Sequence, residues 1–202
     1  MDCSNSKKQF DYISRYNDNA DYGVIRGNNK IVFIKPGADG SYLGYEKKYL
    51  RIAARLHEKT GCSVISVSNL SDMQNRTESD RQIIEQYIAD NKINKAELLF
   101  FGHSNGCIKG LELTASGLFF RRMILINMPL MINLHKTKKY IAEIQRTDIV
   151  AVYGEKDPSF SYTPFIDGKF TNVKVLPISN ADHHFKNCLD DFISLSDMLI
   201  EE

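Results

Sequence analysis

Short, dense apolar runs recur along this chain, separated by stretches in which apolar residues return every three or four positions. The runs occupy residues 30–34, 63–67, 98–101, 123–126, 148–153 and 173–178. The density of the first, residues 30–34, predicts a strand buried on both faces, and the others read as further strands of the same series. Between the runs the period changes to helical. Tyr45, Tyr49, Ile52 and Leu56 share one face of a helix that Gly61 can stop. Ser79, with Gln82 three residues later, reads as the start of a second helix with an apolar face at Ile83, Ile84, Tyr87 and Ile88. Residues 107–115 predict a third helix ended by Gly117, and a lysine-rich fourth covers about 136–145. A last one runs from about 186 to 200, apolar at Leu189, Phe192, Ile193, Leu195 and Leu199.

Upstream, residues 10–27 mix aromatic and polar positions around the turn-rich Tyr16, Asn17, Asp18 and Asn19. They predict one or two short antiparallel strands ending at 22–25, with a turn at Gly27, Asn28 and Asn29. Strands alternating with helices imply an α/β fold, a mostly parallel twisted sheet with helices on both faces. With no linker, repeat or low-complexity tract, residues 1–202 read as one domain, and 1–29 add antiparallel strands to the same sheet.

Composition narrows the function. Across 202 residues, 26 basic side chains stand against 25 acidic ones, a formal net charge of +1 that draws neither nucleic acid nor an anionic membrane. The nearest thing to a basic run, Lys136, Thr137, Lys138 and Lys139, reads as a solvated helix face. Cys3, Cys62, Cys107 and Cys188 are scattered without metal-ligand spacing and are expected as free thiols. The first eight residues have no apolar core for a signal peptide, and no stretch approaches the length of a membrane span. A cytoplasmic protein acting on a small molecule is the expectation.

The chemistry concentrates where the run 98–101 meets Gly102, His103, Ser104, Asn105 and Gly106, just ahead of a helix. A serine on a tight strand-to-helix turn needs small residues two before and two after it, because a Cβ at either place would crowd the turn. The turn sets the hydroxyl at a helix N-terminus, where backbone N–H groups and the helix dipole favour developing negative charge. Phosphate-binding alternatives lack their glycine patterns here.

This arrangement resembles the α/β-hydrolase superfamily from about residue 30 to the end, with Ser104 in the place of the nucleophile. The resemblance implies an acid and then a histidine further along the chain. Ala151, Val152, Tyr153 and Gly154 end a strand, and Asp157 follows in the position of the acid; Glu155 is its nearest competitor. The histidine is expected after the last strand, where His183 and His184 stand together. The motif register favours His183, and one residue of slip would make it His184. His103 lies inside the serine turn and is expected to point away from Ser104.

Two backbone donors for a tetrahedral oxyanion are implied at Asn105 and, from the loop after the first central strand, at Ala38. Pro36, Gly37 and Ala38 stand where relatives commonly carry His-Gly-x, so Pro36 departs from the pattern. Asp39 is expected to face solvent or cap the next turn. Residues 127–134 either line the cleft or pack beneath a helix, and the space before residue 148 leaves room for a minimal cap or none. The implied activity is that of a serine hydrolase cleaving a carboxylic ester or thioester without cofactor or metal. Amide hydrolysis, peptide hydrolysis and acyl transfer share the constellation. The alternative is a hydrolase-fold module that binds a ligand or protein without turnover.

Overall fold

The computed structural model of the chain describes residues 9–16, 20–69 and 76–201. The first eight residues with Cys3, and the turn residues Asn17, Asp18 and Asn19, lie outside that set. Eight strands form one sheet: β1 (Tyr12–Tyr16), β2 (Ala20–Ile25), β3 (Lys30–Lys35), β4 (Ser63–Val67), β5 (Glu97–His103), β6 (Arg122–Ile126), β7 (Asp148–Gly154) and β8 (Val173–Ile178). Their spatial order is β1-β2-β4-β3-β5-β6-β7-β8. β1 pairs antiparallel with β2, and β2 antiparallel with β4; every pairing from β4 onward is parallel.

Parallel strands need crossover connections: α1 (Lys48–Thr60), α2 (Arg76–Asp90), α3 (Asn105–Ala115) and α4 (Leu130–Glu143) supply four of them, a 3-10 segment, Phe160–Phe165, lies in the one between β7 and β8, and α5 (Leu189–Ser194) follows the last strand. Successive side chains of each central strand enter opposite cores. Ile31, Phe33, Leu98, Phe100, Met123 and Leu125 pack into the layer of α2, α3 and α4. Val32, Ile34, Leu99, Phe101, Ile124 and Ile126 pack against α1 and α5. All twelve are buried, which explains why these strands read as unbroken apolar runs.

Several helix boundaries differ from the periodicity. Tyr45 is not on the face of α1; it sits 66% exposed in a separate 3-10 turn, Tyr45–Lys47, where Glu46 and Lys47 take positive φ. α2 begins at Arg76, three residues ahead of Ser79, which is buried within the helix. Gln82 bonds Glu78 and Tyr16 rather than closing a capping box. α4 begins at Leu130, six residues before the lysine-rich stretch. Met128 and Leu130 are therefore core, whereas Met131 and Ile132 face out. The last helix is not continuous. α5 gives way to a 3-10 segment, Leu195–Leu199, where Ser194 and Ser196 donate to the carbonyls of Asp191 and Ile193 three residues back.

Among the described residues, one ion pair is buried on both sides. Lys35, the last residue of β3, is fully buried and donates through Nζ to Asp80 Oδ1 of α2 at 2.7 Å and to the Ser68 carbonyl just after β4 at 3.1 Å. The cation thus ties together the ends of two strands and a helix, immediately before the loop at Pro36. Removing one partner strands a buried charge, which costs far more than the pair contributes. We expect Lys35→Met to destabilise the fold by about 3–5 kcal/mol in urea unfolding, and the double variant Lys35→Met/Asp80→Leu to recover much of that loss. Equal losses in both would show that the pair does not act as a unit.

Candidate active site

Four loops converge at the carboxyl ends of the parallel strands, and each carries one of the residues singled out by sequence. Ser104 follows β5, Ala38 follows β3, Asp157 follows β7 and His183 follows β8. Outside the carboxyl ends of an open α/β sheet is where ligands bind in such folds.

Ser104 occupies a strained conformation, φ 52 and ψ −125, that L-residues adopt only when their surroundings impose it. Its amide donates to the Ile126 carbonyl at 2.8 Å, and its carbonyl accepts from Cys107 N at 3.0 Å. The flanking glycines explain the rest. A Cβ on Gly106 would overlap the carbonyl oxygens of Lys35 and Pro36, and one on Gly102 would press on Phe100 and the backbone of Cys107. Across the gap, a Cβ on Gly37 would stand 3.1 Å from that of Ser104. The loop of Pro36, Gly37 and Ala38 therefore lies directly over the serine turn. Asn69, fully buried, holds this loop: its Nδ2 donates to the Pro36 carbonyl at 2.9 Å, and its backbone bridges to Gly40.

His183 joins the other two side chains. Its Nε2 lies 2.9 Å from Ser104 Oγ, and its Nδ1 forms a short hydrogen bond to Asp157 Oδ2. Asp157 is buried, with its second oxygen accepting from Ser159 N at 2.7 Å. Glu155, by contrast, is exposed. No hydrogen bond among the described residues joins His184 to Ser104 or Asp157; its amide donates to Asp182 Oδ1 and its ring borders the cavity beside Lys48. Among the described residues, the amides of Ala38 and Asn105 have no hydrogen-bond partner. Asp39 is exposed at the rim, at the Ala38 end of the cleft.

Two supporting residues escaped the sequence. Asn127, fully buried at positive φ just beyond β6, accepts from Gly154 N at 2.9 Å and donates to the carbonyls of Asp182 and His183 at 3.1 and 3.0 Å. It stitches the Asp157 turn to the His183 loop. The only signal was its place, a polar residue directly after an apolar run. His103 does point away from Ser104, yet its Nε2 donates to the His183 carbonyl at 2.8 Å while its ring meets Phe192 edge-on. Cys62, Cys107 and Cys188 are free thiols. No group of three or more His, Cys, Asp or Glu among the described residues is arranged to hold a metal ion.

Burial, helped by the nearby Lys48 cation, holds the His103 imidazole well below the usual histidine range. An unfolded chain takes up that proton near pH 6.5, so below that value the unfolded state binds more protons than the folded one. Stability is therefore full above about pH 6.5 and lost as pH falls toward the folded-state value. His184, lowered chiefly by burial, adds in the same direction. Thermal unfolding followed between neutral and mildly acidic pH should show this decline, with a shallower slope in His103→Gln. Identical slopes would show that His103 titrates freely in the folded protein.

No protein-family model matches the chain, and no curated protein matches it in sequence. Solved structures do. An α/β serine hydrolase homologue from Coxiella burnetii superposes with a TM-score of 0.68 at 12% identity, covering 94% of this chain and 96% of that one. An α/β serine hydrolase without lid from Xanthomonas campestris gives 0.65 at 15% identity, covering 90% and 88%. The thioesterase domain from the curacin biosynthetic pathway gives 0.62 at 12% identity, covering 92% and 98%. Between β6 and β7, where a cap could be inserted, this chain carries α4 alone. The chain has the α/β-hydrolase fold, and among the described residues no cap domain is inserted between β6 and β7.

Proposed function

We propose that this protein is a serine hydrolase that cleaves a carboxylic ester or thioester of a small molecule through an acyl-serine intermediate. The observation that carries the reading is the single imidazole of His183 held between Ser104 Oγ and buried Asp157. A serine hydroxyl is a weak nucleophile until a base takes its proton, and the base must be held in the tautomer that leaves Nε2 open. Asp157, accepting from Nδ1, selects that tautomer and stabilises the imidazolium that forms.

As Ser104 Oγ attacks the substrate carbonyl carbon, its proton passes to His183 Nε2. The carbonyl oxygen becomes an oxyanion and accepts from the amides of Ala38 and Asn105, both otherwise without a partner among the described residues. Collapse breaks the bond to the alcohol or thiol, which leaves with the proton returned by His183. Water, deprotonated by the same nitrogen, then attacks the acyl-serine and releases the carboxylic acid. Asn127 and His103 act as positioning residues by holding the His183 carbonyl. The cleft that Ser104 and His183 line has a volume of about 320 Å³, a scale suited to a small molecule. Among the similar folds, the thioesterase domain is named for one of these two ester classes.

Steady-state kinetics on activated aryl esters and thioesters test the roles. His183→Ala should lower kcat/KM by about 10³-fold or more, whereas His184→Ala should cost far less. Asp157→Asn should also be severely impaired, because the amide can hold the wrong tautomer. Equal tolerance of the two histidine changes, or full activity in Asp157→Asn, would contradict the assignment.

A further inference from the structure

Lys48 opens α1 yet is only 6% exposed. Buried lysines are rare and almost always paired, because an ammonium taken out of water loses its hydration. Among the described residues Lys48 has neither a carboxylate partner nor a hydrogen-bond acceptor. Its Nζ lies against two aromatic faces, 4.1 Å from the ring centre of Phe192 and 5.2 Å from that of Tyr49. Such contacts offset part of the desolvation but leave the three N–H donors unmet. Burial pulls the amine down to about 8, so near neutral pH it still carries its proton.

Lys48 lines two spaces at once. One is the cleft of Ser104 and His183. The other, about 600 Å³, is bounded by Tyr45, Lys48, His184, Lys186 and Asn187. Tyr45, Lys48 and His184 line both, so the second space continues from the first. Its lining residues include basic groups and no acidic one, and the carboxylate of the neighbouring Glu46 is hydrogen-bonded to the Tyr45 hydroxyl. The nearby Asp182 turns its Oδ1 to the amides of His184 and Lys186, and Asp39 sits at the Ala38 end of the first cleft.

We propose that this second space is an anion subsite, and that the ester cleaved here carries a carboxylate or phosphate group that docks on Lys48, with Lys186 at the mouth. An anion there supplies the acceptor that buried Lys48 lacks, and the aromatic floor of Phe192 and Tyr49 keeps water from screening the pair. Lys48 is then a specificity-determining residue rather than a catalytic one. The inference rests on Ser104 being the nucleophile.

The test uses fluorophosphonates that share one reactive head and differ only in a tail ending in methyl ester, carboxylate or phosphate, each made in stepped lengths. Second-order labelling rates of the full chain are read by intact mass. At the best tail length one anionic reagent should outrun the neutral one by roughly tenfold or more, and which anion gains identifies the group. That ratio should collapse toward unity in Lys48→Met and persist in Lys48→Arg. Equal rates for neutral and anionic reagents on the wild type at every length would overturn the subsite while leaving the nucleophile intact, a result independent of how well any variant folds. An unchanged ratio in Lys48→Met would overturn it too. Failure of every reagent to label Ser104 would instead remove the acyl-serine reading, and the subsite with it.

Discussion

The backbone of Gly106 lies so close beneath the carbonyls of Lys35 and Pro36 that no side chain fits between them. Nearly everything at the site depends on that approach. It brings the loop after β3 over the turn after β5, so that the amide of Ala38 and the hydroxyl of Ser104 border one cleft. It also explains the buried Lys35–Asp80 pair and Asn69. A loop carried this close to another backbone needs its own anchors, and these side chains supply them from α2 and from the end of β4. Strain at Ser104, of order 1–3 kcal/mol, is held by the same packing.

The far side of the cleft is assembled differently, by hydrogen bonds to carbonyls rather than by close backbone packing. Asn127 and His103 both donate to the His183 carbonyl, and Asn127 also accepts from Gly154. The His183 loop is thereby referred to β5, β6 and β7 at once. Beneath it Phe192 contacts His103, Phe101, Tyr49 and Phe185, an apolar floor with Lys48 resting on it. One wall of the cleft is thus set by glycine geometry and the other by a buried polar network on an aromatic base. The first can be read locally. The second cannot.

That contrast accounts for what the sequence disclosed. Five of the six parallel-paired strands were legible because burial on both faces leaves a dense apolar run; the edge strand β8, with Lys174 and Pro177 exposed, is buried only in part. The proximity of Ser104, His183 and Asp157 was legible because each follows a strand end in a recognisable order. Helix ends were less so. The first turn of α4 presents Met131 and Ile132 to the outside, which erases the amphipathic contrast that would mark it as helix. The final helix broke where Ser194 and Ser196 bond carbonyls three residues back, a competition that apolar periodicity does not register. Asn127, Lys48 and the Lys35–Asp80 pair draw their significance from partners distant in sequence, and such partnerships appear only once the chain is folded.

The proposed chemistry stands on Ser104 being activated by the imidazole beside it. Intact mass after exposure to a simple fluorophosphonate, run beside Ser104→Ala and His183→Ala, addresses that directly. A single adduct on the wild type that is absent from Ser104→Ala and much slower to form in His183→Ala is the expected result. A wild-type protein that is folded yet takes up no adduct would contradict it, and would favour a hydrolase fold that binds its ligand without turnover.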